Sequence, residues 1–158
     1  STAVREAVSA GNIGKASRFL GRPFAFRGRV ITGNARGRTL GFPTANLDLP
    51  QDRMIPGDGI YATWAHFDGR RYKAATSIGV RPTFGSNERT VEAFILDFDK
   101  DLYDQKLCLE FVRHLRNEEK YDTVEALLQQ IDKDVGQTRA LLRSADAGGR
   151  SSDFPESR

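Results

Sequence analysis

The chain has 158 residues and a formal net charge of +3, with 39% hydrophobic and 28% charged residues, which is typical of one ordinary globular domain. Its single cysteine, Cys108, rules out an internal disulfide and a cysteine-based zinc site, and two histidines are too few for a histidine-rich metal site. No apolar run approaches the roughly 20 residues of a membrane-spanning helix, and we expect a cytoplasmic protein.

The predicted elements begin with two short helices within residues 1–20, because apolar residues recur at helical spacing on either side of Gly11-Asn12. Six strands are predicted next, over residues 24–31, 44–49, 60–67, 71–78, 90–98 and 106–115. Asp68-Gly69 indicates a tight hairpin between the third and fourth strands. Residues 32–43 and 79–89 contain several turn-forming residues and are predicted to be loops.

Residues 123–142 are predicted to form a long helix, since apolar residues recur along one face. This apolar stripe comprises Val124, Leu127, Leu128, Ile131 and Val135. Asp122 is placed to cap the N-terminus of the helix, with Glu125 three residues later as in a capping box. Residues 144–158 lack periodicity and are rich in serine, glycine and charge, which predicts a flexible tail.

Strands that follow one another without intervening helices pair antiparallel, and closing them into a barrel removes the sheet edges. The sequence therefore predicts a mainly β fold: a six-stranded antiparallel barrel of the Greek-key type, with the long C-terminal helix covering one opening or flank. Phe24 and Phe26 alternate with arginines in the first strand, as residues of a core face do. Trp64 and Cys108 are predicted core residues.

Charge is segregated along the chain, because residues 7–47 contain seven basic and no acidic residues. Such a stretch favours an anionic partner such as a phosphate, a nucleotide or a nucleic acid, although a solvated basic face fits it equally well. Gly33, Gly37 and Gly41 recur within it every four residues, where backbone N–H groups can approach an anion closely. Arg36 adds charge, and the loop shifts the balance toward phosphate.

Thr44 and Asn46 follow this loop in an extended segment, so their side chains are predicted to point to the same face. A hydroxyl and an amide oxygen are hard ligands of the kind that a nucleotide-bound Mg²⁺ takes. The residue types alone favour a simpler interpretation, in which both residues close a turn after Pro43.

Glu92 heads a face that it shares with Phe94, Leu96 and Phe98 on the predicted fifth strand. A lone carboxylate on an apolar face is costly unless it is paired or functional. The residue types alone favour a simpler interpretation, in which Glu92 is an exposed glutamate at the start of a strand.

The segment TLGFPTAN, residues 39–46, resembles the signature of riboflavin kinases, especially that of the kinase module of bacterial bifunctional FAD synthetases. Further segments resemble that family in the same order along the chain: GIY at 59–61, SIG at 77–79, RPTF at 81–84, VE at 91–92, DLY at 101–103, EFV at 110–112, LR at 115–116, EKYD at 119–122 and DV at 134–135. The resemblance covers roughly residues 21–142.

The resemblance implies transfer of the γ-phosphoryl group of ATP to the ribityl 5′-hydroxyl of riboflavin, giving FMN and ADP, with Mg²⁺ as the required ion. In that family the threonine and asparagine of the signature lie at Mg²⁺ and the phosphates, which maps to Thr44 and Asn46. The family's general base maps to Glu92, and this favours the catalytic interpretation of that residue. The residues expected to bind ATP and its phosphates are Gly33, Arg36, Gly37, Thr39, Gly41, Thr44 and Asn46.

The family binds the flavin between the barrel mouth and the start of the C-terminal helix. Arg116 is the best-matched polar candidate there. Asp122 and Glu125 are further candidates, although helix capping explains these two residues equally well.

Bifunctional members of the family also carry an upstream adenylyltransferase module with a His-x-Gly-His motif, which this sequence lacks. We therefore expect residues 21–143 to be the riboflavin kinase domain and residues 1–20 to be the connection to that upstream module. The chain is expected to make FMN but not FAD, with riboflavin and MgATP as partners and neither nucleic acid nor a membrane.

Two alternatives from other classes stay open: a small basic barrel that binds single-stranded nucleic acid, and a flavin-binding domain without catalysis. The core-like alternation of Phe24 and Phe26 argues against the first, because such barrels need exposed stacking aromatics. The joint presence of Thr44, Asn46 and Glu92 argues against the second.

Overall fold

The computed structural model of the chain describes residues 2–31, 44–49, 54–83 and 86–143, and of residues 81–83 and 86–88 it describes the backbone alone. Its helices are α1 (Thr2–Ser9), α2 (Ile13–Leu20) and α3 (Val124–Leu142). Its strands are β1 (Ala25–Ile31), β2 (Ala45–Leu47), β3 (Gly59–Phe67), β4 (Arg70–Thr83), β5 (Ser86–Ile95) and β6 (Lys106–Arg116). None of the described helices is long and apolar enough to cross a membrane.

The six strands form a closed antiparallel barrel in the order β1-β2-β5-β4-β3-β6, and β6 pairs in turn with β1. Strands β3, β4 and β5 follow one another as a meander. The pairs β2–β5 and β1–β6, in contrast, join strands that are distant in sequence. Closure gives each strand two neighbours, and the predicted barrel with a C-terminal helix is confirmed.

Local signals predicted one of the two consecutive hairpins and missed the other. Asp68 (φ 54°) and Gly69 (φ 75°) adopt the positive φ angles of a two-residue type I′ turn between β3 and β4, as predicted. The predicted loop over residues 79–89 is wrong, because the β4–β5 ladder continues from the Gly79–Thr90 pair to the Thr83–Ser86 pair. Turn-forming residues carry no information about pairing with a neighbouring strand, and here the β4–β5 ladder runs through them.

The barrel interior is filled mainly by aromatic and branched side chains. Buried and less buried residues alternate from Phe24 to Val30, as predicted for the first strand. The rings of Phe24 and Phe26 lie 5.9 and 5.6 Å from that of Phe111 on β6, which in turn meets Tyr61 edge-on. Helices α1 and α2 pack against the barrel, since their buried residues join the same core: Val4, Ala7, Val8, Ile13 and Ala16.

Helix α3 begins one residue later than its predicted cap implied. Its N-cap is Thr123, whose hydroxyl accepts a hydrogen bond from the Ala126 N–H, and not the predicted Asp122. Both residue types cap helices well, so backbone geometry decides between them. Thr123 has the extended backbone (φ −131°, ψ 156°) that an N-cap requires.

The face that α3 turns to the barrel is more polar than its apolar stripe predicted. The buried residues of the helix are Asp134, Thr138 and Leu142, whereas Val124 of the stripe is 41% exposed. Leu127 and Ile131 are half-buried and line a cleft between α3 and the barrel. The helix therefore closes one flank of the barrel and leaves part of its apolar stripe available to a ligand.

Candidate active site

One row of residues crosses five strands on the outer face of the barrel. The cross-strand partners run from Asn46 on β2 to Glu92 on β5, Ser77 on β4, Ile60 on β3 and Arg116 on β6. Directly paired residues point to the same side of a sheet, and strand-to-strand spacing is about 4.8 Å. Chain segments separated by up to 70 residues thus meet along one line of about 19 Å.

A cleft of about 220 Å³ lies between this row and the N-terminal half of α3. Its apolar lining comprises Ile60, Ala75, Phe94, Leu127 and Ile131. Its polar lining comprises Thr44, Ser77, Glu92, Arg116, Glu118, Glu119, Tyr121 and Asp134. Apolar walls with a few convergent polar groups are typical of small-molecule sites.

Glu92 and Thr44 meet at one end of the cleft, where the Thr44 hydroxyl donates a hydrogen bond of 3.4 Å to Glu92 Oε1. Glu92 is half-buried and shares its face with Phe94, as predicted, while Val91 and Ala93 point into the core. Strand β5 ends at Ile95, so Leu96 lies beyond the strand and outside this face. A carboxylate beside a hydroxyl can accept a proton and orient a second alcohol.

Arg116 lies at the other end of the row and is fixed by Asp134 of α3. Arg116 Nε and Nη2 donate hydrogen bonds of 2.9 and 2.8 Å to the two carboxylate oxygens of Asp134. These bonds hold the pKa of the Arg116 guanidinium above its ordinary value. Arg116 also lies 5.9 Å from the centre of the Tyr121 ring, and desolvation raises the pKa of that tyrosine. This end of the cleft therefore presents a fixed cation and an aromatic ring.

The segment between β6 and α3 forms a wall of the cleft through Glu118. The Ser77 hydroxyl donates a hydrogen bond of 3.1 Å to Glu118 Oε1. Gly79, two residues further along β4, lies so close to the same carboxylate that a Cβ at this position would collide with it. A glycine at position 79 is thus what lets Glu118 approach the strand.

The structure brings three of the predicted site residues into one cleft: Thr44, Glu92 and Arg116. Asn46 is half-buried directly opposite Glu92 in the β2–β5 ladder, beside the cleft but not in its lining. Two predicted flavin-binding residues, Asp122 and Glu125, are exposed and do not line the cleft. The remaining predicted phosphate-binding residues lie outside the described part of the chain: Gly33, Arg36, Gly37, Thr39 and Gly41.

Sequence reasoning assigned no role to several polar residues that line the cleft: Ser77, Glu118, Glu119, Tyr121 and Asp134. One signal was available for Asp134. It follows Leu127 and Ile131 at positions i+7 and i+3, so a carboxylate sits on the helix face that bears apolar residues. The other residues depend on how the β6–α3 segment folds back, which has no local periodic signal.

A second pocket of about 310 Å³ lies six residues further along β3, roughly 20 Å from the Ile60 end. It is lined in part by Arg27, Arg29, His66 and Cys108. His66 is buried and pairs with Glu110 at 2.9 Å, and the predicted burial of Trp64 and Cys108 is confirmed. Within the described residues, no group of three or more His, Cys, Asp and Glu side chains is arranged to hold a metal ion.

The buried aromatics bear on the nucleic-acid alternative. Phe24 and Phe26 are 6% and 5% exposed, so neither can stack on a base. Phe19 is 52% exposed, but it lies on α2, with Lys15 over its ring. The described residues therefore offer no groove of exposed aromatics on the basic stretch.

Comparisons with known proteins point to one family. A family model described as riboflavin kinase, or flavokinase, matches residues 20–142, which include every residue that lines the cleft. The chain is 42% identical over 142 residues to a bifunctional riboflavin kinase/FMN adenylyltransferase from Pseudomonas fluorescens, covering 89% of this chain and 45% of the relative. The chain spans just under half the length of the curated relatives that it matches.

Two solved structures share the fold. A macrolide-efflux protein from Streptococcus pneumoniae is 38% identical with a TM-score of 0.83, over 88% of this chain and 46% of that one. A riboflavin kinase from Trypanosoma brucei is 26% identical with a TM-score of 0.57, over 78% of this chain and 82% of that one.

Proposed function

The chain belongs to the riboflavin kinase family, and we propose that it transfers the γ-phosphoryl group of ATP to the ribityl 5′-hydroxyl of riboflavin, giving FMN and ADP. The observation that carries this proposal is the cleft within the matched range. Glu92 and Thr44 meet at one end of this cleft, and Arg116 lies three strands from Glu92, at about 14 Å. A proton acceptor and a ring-binding cation are thus separated by an apolar wall.

Glu92 is the proposed general base. The 5′-oxygen of riboflavin forms a bond to the γ-phosphorus, the bond from that phosphorus to the bridging oxygen breaks, and the hydroxyl proton passes to the Glu92 carboxylate. Phosphoryl transfer has a loose transition state and depends mainly on positioning and charge stabilisation. A half-buried carboxylate that already accepts a hydrogen bond from Thr44 is suited to orient the alcohol.

Thr44 and Asn46 are the proposed Mg²⁺ ligands. Their hydroxyl and amide oxygens are hard donors, and both residues lie next to the Glu92 carboxylate, so the donor set fits this ion. When bound with ATP, Mg²⁺ supplies charge neutralisation at the phosphates. Thr44 and Asn46 would hold the nucleotide phosphates beside the riboflavin hydroxyl.

The flavin ring is proposed to lie on the apolar wall of the cleft. Ile60 and Phe94 on the barrel face Leu127 and Ile131 on α3, which leaves a slot with two apolar sides. A flat aromatic ring buries apolar area on both faces in such a slot. Arg116 would then bind the ring at the end away from Glu92.

The proposed product of this chain alone is FMN and not FAD. The relatives named as bifunctional are about twice as long, and their second printed activity is that of an FMN adenylyltransferase. We propose that this second activity belongs to the part of those relatives that the chain does not match. FAD formed from FMN and ATP by the purified chain would contradict this.

The test is FMN production. The purified chain is incubated with riboflavin and ATP, with Mg²⁺ or with EDTA in excess, and the flavins are separated by chromatography. We expect FMN only in the presence of Mg²⁺. Riboflavin binding without FMN formation would instead support a flavin-binding domain without catalysis. If the chain neither binds riboflavin nor forms FMN, the proposal is wrong.

A further inference from the structure

Asp134 accepts hydrogen bonds from Arg116 with both of its carboxylate oxygens. This pair lies in the cleft and connects α3 to the end of β6. We propose that Asp134 is a positioning residue for riboflavin, because it holds Arg116 in the orientation that receives the flavin ring. This inference rests on the proposed function. A bidentate arginine–carboxylate pair fixes the plane of the guanidinium as well as its position.

Preorganisation is the physical benefit. A free arginine side chain has many rotamers and must lose that freedom when it is fixed against a ligand. The Asp134 side chain is only 5% exposed and that of Arg116 is 19% exposed, so their pairing is weakly screened by water. Arg116 Nη1 also donates to the Asn117 carbonyl at 3.0 Å, which restrains the guanidinium further. The conformational entropy of the Arg116 side chain is therefore lost when the protein folds and not when the ligand binds.

Gln130 extends the network without touching the cleft. Its side-chain amide donates a hydrogen bond of 3.1 Å to Asp134 Oδ1, and Gln130 is not among the cleft-lining residues. Gln130 can therefore affect riboflavin binding through Asp134 and Arg116 without contacting the ligand itself. This makes Gln130 a mild probe of positioning that leaves the carboxylate in place.

A matched control exists on the same helix. Arg139 of α3 donates two hydrogen bonds, of 2.8 and 3.2 Å, to the carboxylate of Asp97, which follows β5. This pair also connects α3 to the barrel, but it lies outside the cleft. If docking of α3 on the barrel is what matters, variants of Asp134 and of Asp97 should both weaken riboflavin binding. If positioning of Arg116 is what matters, only variants of Asp134 should weaken it.

The experiment is a fluorescence titration of riboflavin with the full chain and the variants Arg116→Ala, Asp134→Asn, the double variant and Asp97→Asn. We expect Asp134→Asn to raise the Kd for riboflavin on the order of tenfold, and Arg116→Ala to raise it at least as much. The double variant should bind no more weakly than Arg116→Ala, since a residue that acts through another adds nothing once that other is gone. Asp97→Asn should bind as the wild type.

Turnover and a milder variant complete the test. Asp134→Asn should raise KM for riboflavin while kcat at saturating riboflavin stays near that of the wild type. Gln130→Ala should raise the Kd by about two- to threefold, and it decides the question if Asp134→Asn does not fold. Additive losses in the double variant would mean that Asp134 contacts riboflavin itself. Wild-type affinity in both Asp134→Asn and Gln130→Ala, or an equal loss in Asp97→Asn, would also overturn the inference.

One measurement needs no ligand. In the ¹⁵N spectrum of the free protein, we expect the Arg116 Nε–H to exchange slowly with water, and to lose that protection in Asp134→Asn but not in Asp97→Asn. If the wild-type chain binds no riboflavin, the proposed function is wrong. An Arg116 signal that is unchanged in Asp134→Asn would remove the positioning role, so the two failures are distinguishable.

Discussion

Helix α3 is joined to the barrel at two points by arginine–aspartate pairs of similar geometry. The inner pair, Arg116–Asp134, and the outer pair, Arg139–Asp97, both have a shortest nitrogen–oxygen distance of 2.8 Å. Their surroundings differ, because the inner side chains are 19% and 5% exposed and the outer ones 41% and 74%. The inner pair lines the cleft and the outer pair does not.

Burial, more than contact distance, separates the two regions. An exposed ion pair is screened by water and salt and contributes little to stability. The two charges of a buried pair interact strongly, so removing one partner leaves the other charge uncompensated and shielded from water. Polar residues at the cleft end of α3 are therefore expected to affect both stability and ligand binding, and those at the outer end to affect neither strongly.

The largest expected difference between the two regions is catalytic. Glu92→Gln should lower turnover by about 10²–10⁴-fold while ATP binding stays nearly intact, because only proton transfer and orientation are lost. Asp97→Asn makes the same carboxylate-to-amide change just beyond the same strand and should leave turnover unchanged. Asparagine tolerates the positive φ of 56° at position 97. Steady-state kinetics of both variants provide the check, and near-normal turnover in Glu92→Gln would rule out Glu92 as the base.

Stability should separate the two pairs next. Asp134→Ala should lower the free energy of unfolding by up to about 3 kcal/mol, since it leaves the half-buried Arg116 without its counter-charge. Arg139→Ala removes a partner of the exposed pair and should cost less than about 1 kcal/mol. Urea denaturation of both variants measures the difference. Equal losses would mean that burial does not distinguish the pairs.

Asn46 tests the nucleotide side of the cleft. Asn46→Ala should weaken productive MgATP binding by about tenfold, because one proposed oxygen ligand is lost while Glu92 and Thr44 remain. The measurement is the rate of FMN formation as a function of Mg²⁺ and ATP concentration. A dependence identical to that of the wild type would remove the ligand role.

Gly79 tests the role of the cleft wall that Glu118 forms. Gly79→Ala places a methyl group against the Glu118 carboxylate, so we expect Glu118 to lose its contact with Ser77 and KM for riboflavin to rise about threefold. Gly136→Ala is the control on α3, where a Cβ meets nothing within 4 Å. It should stabilise the protein by about 0.5–1 kcal/mol and leave KM unchanged. A raised KM in both variants would point to general disturbance of the fold.

The smallest expected effect is a pH dependence of the outer pair. Hydrogen bonds from Arg139 hold the pKa of Asp97 below its ordinary value of 3.8. The pair therefore contributes stability above that ordinary value, and the contribution is lost as pH falls through the lowered pKa. Solvent screening limits it to less than about 1 kcal/mol. Wild type and Asp97→Asn should thus differ slightly in unfolding free energy at pH 7 and converge in strong acid.

Some of the site was accessible from residues alone and some only through the family resemblance. The alternation around Phe26 and the Asp68-Gly69 turn are local patterns, and both predictions were confirmed. Glu92 heads an apolar strand face, a pattern that an exposed glutamate also fits, and Arg116 has no distinguishing local pattern. The resemblance is what singled out both residues, and the structure places both in one cleft. The two candidates at the start of the helix, Asp122 and Glu125, lie outside that cleft. The sequence could not exclude them, because helix capping and flavin binding predict the same residue types there.

The order of helices and strands could be predicted from the sequence, because alternation, helical periodicity and turn residues are properties of near neighbours in the chain. The pairs of residues that meet across the barrel, such as Asn46 and Glu92, could not be predicted in this way, since register between distant strands follows from barrel closure. The same holds for the contact of Asp134 with Arg116, because the two residues lie on elements that meet only in the folded protein.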